Sequence, residues 1–229
     1  GGMCKGSGMI HPNMATMIGV LTTDANISRR LLDKALKEVV EKTFNRITVD
    51  GDTSVCDMVL ILANGMADNA GIIDEDDDYL AFKKGLEEVC NYLSRRIARD
   101  GEGATKLIEV VVENAASPED AHKAASTIAT SPLVKTAVFG EDANWGRIIT
   151  AVGYSGVEFD PDYTDIYIGD ILVCKNGCAV DFDEGAAKEA LKKDEVKLLA
   201  NINKGVYSDR VLTCDFSLEY VKINSSYRS

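Results

Sequence analysis

Apolar, β-prone runs alternate with helical repeats along the whole of this 229-residue chain, and that alternation constrains the fold more than any other feature. Strands are expected at Met17–Thr22, Met58–Ala63, Lys106–Val112, Leu133–Phe139, Ile166–Val173, Ala179–Phe182, Val196–Ile202 and Arg210–Ile223, and over Ile47–Ser54 a short β-prone piece runs into an acidic, hydroxyl-rich turn. Helices are expected at Arg29–Thr43, from the acidic cluster Asp74–Asp78 to about Ala98, from Pro118 to Ser131, at Arg147–Val152 and at Glu184–Lys193. No linker rich in Pro, Gly or Ser interrupts the series, and there is no fixed-period repeat. The pattern implies one α/β or α+β unit with room for two lobes.

Local signals support the helices. Ser28 and Ser117 stand where N-caps are expected, and Pro118 opens its helix. Leu31, Leu32, Ala35, Leu36, Val39 and Val40 recur at helical spacing, as do Leu80, Phe82, Leu86, Val89, Cys90 and Leu93. Arg95, Arg96 and Arg99 suit the negative end of their helix dipole.

A net charge of −12 works against encounter with nucleic acid or an anionic membrane, so small molecules are the expected ligands. No apolar run reaches the length of a membrane span, and the N-terminus does not read as a signal segment, which places the protein in the cytoplasm. Six scattered cysteines suit reduced, mostly buried thiols. Cys174 and Cys178 are the one close pair, and a turn at Asn176-Gly177 between two strands explains their spacing better than a metal. Asp50, Asp52 and Asp57 flank a glycine in the manner of part of a calcium loop. No glutamate stands at the required distance, so they read as a hydrogen-bonded turn.

The segment Lys5-Gly-Ser-Gly-Met-Ile-His-Pro-Asn-Met-Ala-Thr16 is a shaped polar loop that carries a hydroxyl to the mouth of an apolar strand. Gly6 and Gly8 open backbone conformations closed to other residues, and Pro12 pushes His11 toward an extended form. A threonine hydroxyl is a weak nucleophile until a base takes its proton. Cutting the peptide bond between Ala15 and Thr16 would give Thr16 a free α-amine that can serve as that base. Asn13 and Ser7 are candidates to polarise the bond. Glu102, between two glycines at the mouth of a strand, reads on composition alone as a turn carboxylate, and Asn144 and Trp145 as loop and packing residues.

Several motifs resemble one family. Lys5–Met17 is similar to the self-cleavage segment of the ornithine acetyltransferase (bifunctional glutamate N-acetyltransferase) family. Val49-Asp-Gly-Asp-Thr-Ser54, Asp100-Gly-Glu-Gly-Ala-Thr-Lys-Leu-Ile-Glu109, Ser131-Pro-Leu-Val-Lys-Thr-Ala137, Asn144-Trp-Gly-Arg-Ile-Ile149 and Tyr220-Val-Lys-Ile-Asn224 follow in order. The resemblance implies an αββα-type sandwich of the ornithine acetyltransferase and DmpA-like superfold, similar to the N-terminal nucleophile hydrolases. It also implies self-cleavage into an α chain, ending here with residues 1–15, and a β chain of residues 16–229. Thr16 would take the acetyl group of N-acetylornithine and pass it to glutamate, in the cyclic route of arginine biosynthesis. The family needs no cofactor, and in some members acetyl-CoA is a further donor. Lys5, Thr16, Glu102, Asn224 and Ser229 match its substrate-binding positions, with Glu102 expected to pair with the ornithine ammonium and Lys5 with the substrate carboxylate. The implied partner is the α chain of the same precursor, in an α2β2 heterotetramer.

The chain departs from the family in three places. Ser229 replaces a terminal threonine but keeps the hydroxyl, Cys56 replaces a commoner asparagine, and the stretch before Thr16 is far shorter than the family's α chain. The missing part would carry the threonine-glycine oxyanion hole and a further substrate contact, so the chain reads as a fragment or one product of a split. An amidohydrolase or aminopeptidase of the same superfamily, or an inactive remnant, are the competing expectations.

Overall fold

The computed structural model describes residues 1–11, 17–54 and 56–226. The chain divides into two compact units, Gly1–Ile97 and Ala98–Ser229.

The first unit contains β1 (Gly2–Lys5), β2 (Ile18–Thr23), α1 (Arg29–Lys42), β3 (Met58–Ala63) and α2 (Asp77–Arg99), whose last two residues pass the boundary. Its sheet runs β1-β2-β3, with β1 antiparallel and β3 parallel to β2. Because side chains alternate across a strand, the sheet has two unlike faces. Leu21 lies on the inner face with Cys4, whose thiol points at the Leu93 carbonyl at 3.6 Å. The core below is built by Leu31, Ala35 and Val39 of α1 and by Tyr79, Leu86, Cys90, Leu93 and Ile97 of α2. On the other face Lys5, Ile18 and Met58 are aligned in register, and these three are exposed together with Met3 and Leu62.

Some expectations change here. Residues 47–54 form a hydrogen-bonded loop rather than a strand. Ser28 occupies the N-cap position of α1, yet its side chain makes no cap bond. Leu80 is exposed, since Tyr79 beside it takes the inward position of the first turn of α2.

The second unit contains β4 (Leu107–Ala115), α3 (Pro118–Thr130), α4 (Pro132–Phe139), α5 (Trp145–Tyr154), β5 (Asp165–Ile168), β6 (Ile171–Lys175), β7 (Cys178–Ala179), α6 (Glu184–Leu191), β8 (Glu195–Asn201), β9 (Tyr207–Cys214) and α7 (Leu218–Ser226). The sheet order is β7-β6-β5-β8-β4-β9, and β4 and β8 are its parallel pair. Ile108, Val110 and Val112 of β4 alternate into one core with Val196, Leu198 and Ala200 of β8, against Ala121, Ala124, Ala125 and Ile128 of α3. On the opposite face Arg210 and Glu109 pair at 3.1 Å.

One expected strand is helical and another is helical in its second half. Leu133–Phe139 lies in α4, because Pro132 occupies the first turn, the Ser131 hydroxyl accepts from Val134 N, and Val134, Ala137 and Val138 bury one helical face. Arg210–Ile223 is a strand only to Cys214. There the Ser217 hydroxyl accepts from the Glu219 and Tyr220 amides and starts α7. Ile166–Val173 is a hairpin, β5 to β6, turned at Gly169 with φ of 59°. The Cys174–Cys178 spacing is the expected turn, with Asn176 and Gly177 at φ 50° and 70°. None of the six cysteines is in a disulfide.

Candidate active site

In the first unit, residues 48–58 grip the polar loop at both ends. The Asp50 carboxylate accepts from the Met9 amide at 2.7 Å and the Ile10 amide at 3.0 Å. The Ile10 carbonyl in turn accepts from Val49 N at 2.6 Å and from the Thr48 hydroxyl at 3.0 Å. Thr48 Oγ1 lies 3.1 Å from His11 Nδ1, and Thr53 Oγ1 donates to the His11 carbonyl at 3.1 Å. On the downstream side the Met17 amide donates to Asp57 Oδ1, and the Met17 carbonyl accepts from Met58 N at 2.7 Å. Ile10 and Met17 are buried. The acidic turn is hydrogen-bonded within itself, as its composition suggested, with Asp52 N donating to Asp50 at 3.2 Å, and it also holds backbone outside the turn.

Among the described residues of this loop Met9 is left-handed, at φ of 54°, while Gly6 serves close packing, since a Cβ there would lie 3.1 Å from Ile10. Pro12, Asn13, Ala15 and Thr16, and with them the expected cleavage site and nucleophile, lie outside the described residues, as does Ser229. Lys5 ends β1 on the exposed face of the sheet.

Asp57 has an unusual setting. Its Oδ2 is buried and has no hydrogen-bond partner among the described residues. Burial holds its carboxyl above the ordinary range, against the opposing pull of the Met17 amide. It borders a cavity of about 230 Å³ lined also by Met17, Asp33, Leu36, Lys37 and Asn45.

In the second unit, Glu102 and Asn224, 122 residues apart in sequence, meet directly. Asn224 Nδ2 donates to Glu102 Oε2 at 2.9 Å and to the Tyr220 carbonyl at 3.0 Å. Asn224 is exposed on α7 and neutral, so it orients the carboxylate without cancelling its charge.

The loop that carries Glu102 is held from below. The fully buried Asp215 accepts from the Thr105 and Lys106 amides, each at 2.8 Å, and from the Thr105 hydroxyl at 2.5 Å. The Ser217 hydroxyl donates to the Gly103 carbonyl at 2.6 Å. Gly103 has φ of 68°, and a Cβ there would stand 2.4 Å from Tyr220 N. Buried Lys135 donates to Thr213 Oγ1 at 2.7 Å and to the Cys214 carbonyl, and its ammonium lies 4.5 Å from the centre of the Phe216 ring, which stacks on Tyr220 at 4.7 Å. Sequence reading passed over Asp215, Ser217 and Lys135 as site builders. A serine before a helix was a usable signal for Ser217, whereas the partners of Asp215 lie more than a hundred residues away.

Other reactive groups serve less well. His122 Nδ1 lies 3.1 Å from Asp209 Oδ2, off the direction a hydrogen bond requires, and Ser126 Oγ is 3.4 Å from His122 Nε2. Ser126 lies within α3, whose amides are spent on helical bonds, so its own helix offers this serine no oxyanion donors. Burial pushes the Cys90 thiol up to about 12, which rules it out as a nucleophile at neutral pH. No three His, Cys, Asp or Glu side chains group for a metal among the described residues.

The ArgJ family profile matches residues 1–229. The chain belongs to the ArgJ family. It is 53% identical over its full length to the arginine biosynthesis bifunctional protein ArgJ of Symbiobacterium thermophilum, and 49% identical to that of Bacillus subtilis. It spans 57% and 56% of the length of these two relatives. A crystal structure of arginine biosynthesis bifunctional protein ArgJ from Bacillus halodurans superposes with a TM-score of 0.89 at 47% identity, over 93% of this chain and all of that one. The mixed α/β class expected from the sequence is therefore the fold, and the resemblance read from its motifs is membership.

Proposed function

We propose that this chain carries the nucleophile and part of the substrate site of an ornithine acetyltransferase of arginine biosynthesis. The observation that carries the reading is the meeting of Glu102 and Asn224 at 2.9 Å, two residues expected on motif grounds alone to bind one substrate. Names of relatives that include arginine biosynthesis support the pathway.

The chemistry follows from the residues. The Thr16 hydroxyl attacks the acetyl carbonyl of N-acetylornithine, with the freed α-amine of Thr16 as base. As the amide C–N bond breaks, the proton goes to the departing ornithine amine, leaving an acetyl ester on Thr16. Glutamate's amine then attacks the ester and Thr16 is regenerated. Glu102 supplies a fixed negative charge for the ornithine ammonium, and Lys5 and Ser229 would hold the carboxylate end. Oxyanion donors come from the rest of the precursor, which also provides a partner for the exposed Met3, Ile18, Met58 and Leu62 in an α2β2 assembly. Acetyl-CoA as second donor would account for the word bifunctional in the relatives' names. We place the reaction in the cytoplasm; among the described residues no helix is long and apolar enough to cross a membrane.

The test is product analysis on the full-length precursor. With acetylornithine and glutamate together, acetylglutamate and ornithine should form in equal amounts. With acetylornithine alone, turnover should stop after one acetyl group per site. Continuous release of free acetate at the same rate without glutamate would assign an amidohydrolase instead.

A further inference from the structure

We propose that Asp57 is the positioning residue of the nucleophile, an inference that rests on the reading of Thr16 above. The nitrogen of Met17 belongs to the peptide bond joining residue 16 to residue 17. Asp57 Oδ1 accepts its hydrogen, and the Met17 carbonyl is fixed on its other side by Met58 N. The chain leaving residue 16 therefore has both polar groups of its next residue pinned to the β3 side of the sheet, with the Met17 side chain buried.

The upstream anchor differs in kind. Asp50 holds the amides of Met9 and Ile10, and those residues part from Thr16 once the chain is cut. The Asp57 bond stays with the nucleophile before and after the cut. One residue thus fixes the peptide group on the C-terminal side of Thr16 both before and after the cut. Misplacement of an attacking atom by about 1 Å costs on the order of 100-fold in rate.

Its task is acceptance of one hydrogen bond, not charge. The second carboxylate oxygen is buried without a partner among the described residues, a setting that disfavours the ionised form. The charged groups lining the adjoining cavity are Asp33 and Lys37 of α1, which pair with each other at 2.8 Å. An asparagine at position 57 offers the same acceptor at the same reach.

The experiment uses the full-length precursor, reading cleavage by intact mass, and a pre-cut enzyme in which residues 16–229 are co-expressed with the upstream part. Asp57→Ala should slow cleavage about 100-fold and lower kcat of the pre-cut enzyme similarly, with KM near that of the wild type. Asp57→Asn should retain both rates within about threefold. If Asp57→Ala melts too low to assay, Asp57→Ser, polar but too short to reach the Met17 amide, should show the same split. Cleavage of the alanine or serine variant at the wild-type rate would overturn the assignment, and so would an asparagine variant as slow as alanine. An uncut wild-type precursor would overturn the nucleophile reading itself, and the Asp57 role with it.

Discussion

The two units use their carboxylates in opposite ways. In the first unit Asp50, through both oxygens, and Asp57, through Oδ1 alone, accept from backbone amides on either side of residues 12–16. In the second unit Glu102, the carboxylate proposed to meet substrate, is displayed on a loop whose backbone is held by another carboxylate, the buried Asp215. Among these four carboxylates, what each accepts from separates scaffold from the proposed ligand. Scaffold aspartates take main-chain N–H groups, whereas Glu102 accepts from the side-chain amide of Asn224.

Breaking the scaffold should hurt most. Asp215→Ala leaves the Thr105 and Lys106 amides without their acceptor, and should cost about 3 kcal/mol in urea unfolding, with loss of acetylornithine binding. A smaller effect is expected at the ligand end. Asn224→Ala touches an exposed side chain, so stability should change by less than about 0.5 kcal/mol while KM for acetylornithine rises roughly fivefold. An unchanged KM would remove Asn224 from the site.

The smallest effect sharpens the comparison through pH. The Asp57 carboxyl is held above its ordinary range, so the folded state binds its proton more tightly than the unfolded chain does. Its ionisation therefore opposes folding: the penalty is absent below about pH 4, grows as pH rises through the raised value, and is constant beyond it. Asp57→Asn should melt slightly higher than the wild type at neutral pH, with the gap closing in acid. A gap that widens in acid would mean the carboxylate is stabilised by a charge.

Most of the scaffold was legible because periodicity and caps are local signals. Ala124, Ala125 and Ile128 face the core as their spacing required, and Ser117 caps α3 through Asp120 N at 3.1 Å. Leu133–Phe139 was misread because Val134, Val138 and Phe139 favour strands on composition, while Ser131-Pro132 had already set a helix start. At the site, Glu102 and Asn224 came from motif resemblance alone. Nothing local in either stretch shows that an exposed residue of α7 reaches a loop 122 residues earlier. The role of Asp57 was hidden for the same reason, since its acidic turn looked complete in itself.

The central claim is that the hydroxyl of Thr16 becomes competent when the chain is cut before it. Intact-mass measurement of the active, purified full-length protein tests this most directly. The account requires two chains, one of them beginning at Thr16, and a single uncut chain in the Thr16→Ala variant. A fully active wild-type protein that remains one uncut chain would contradict it.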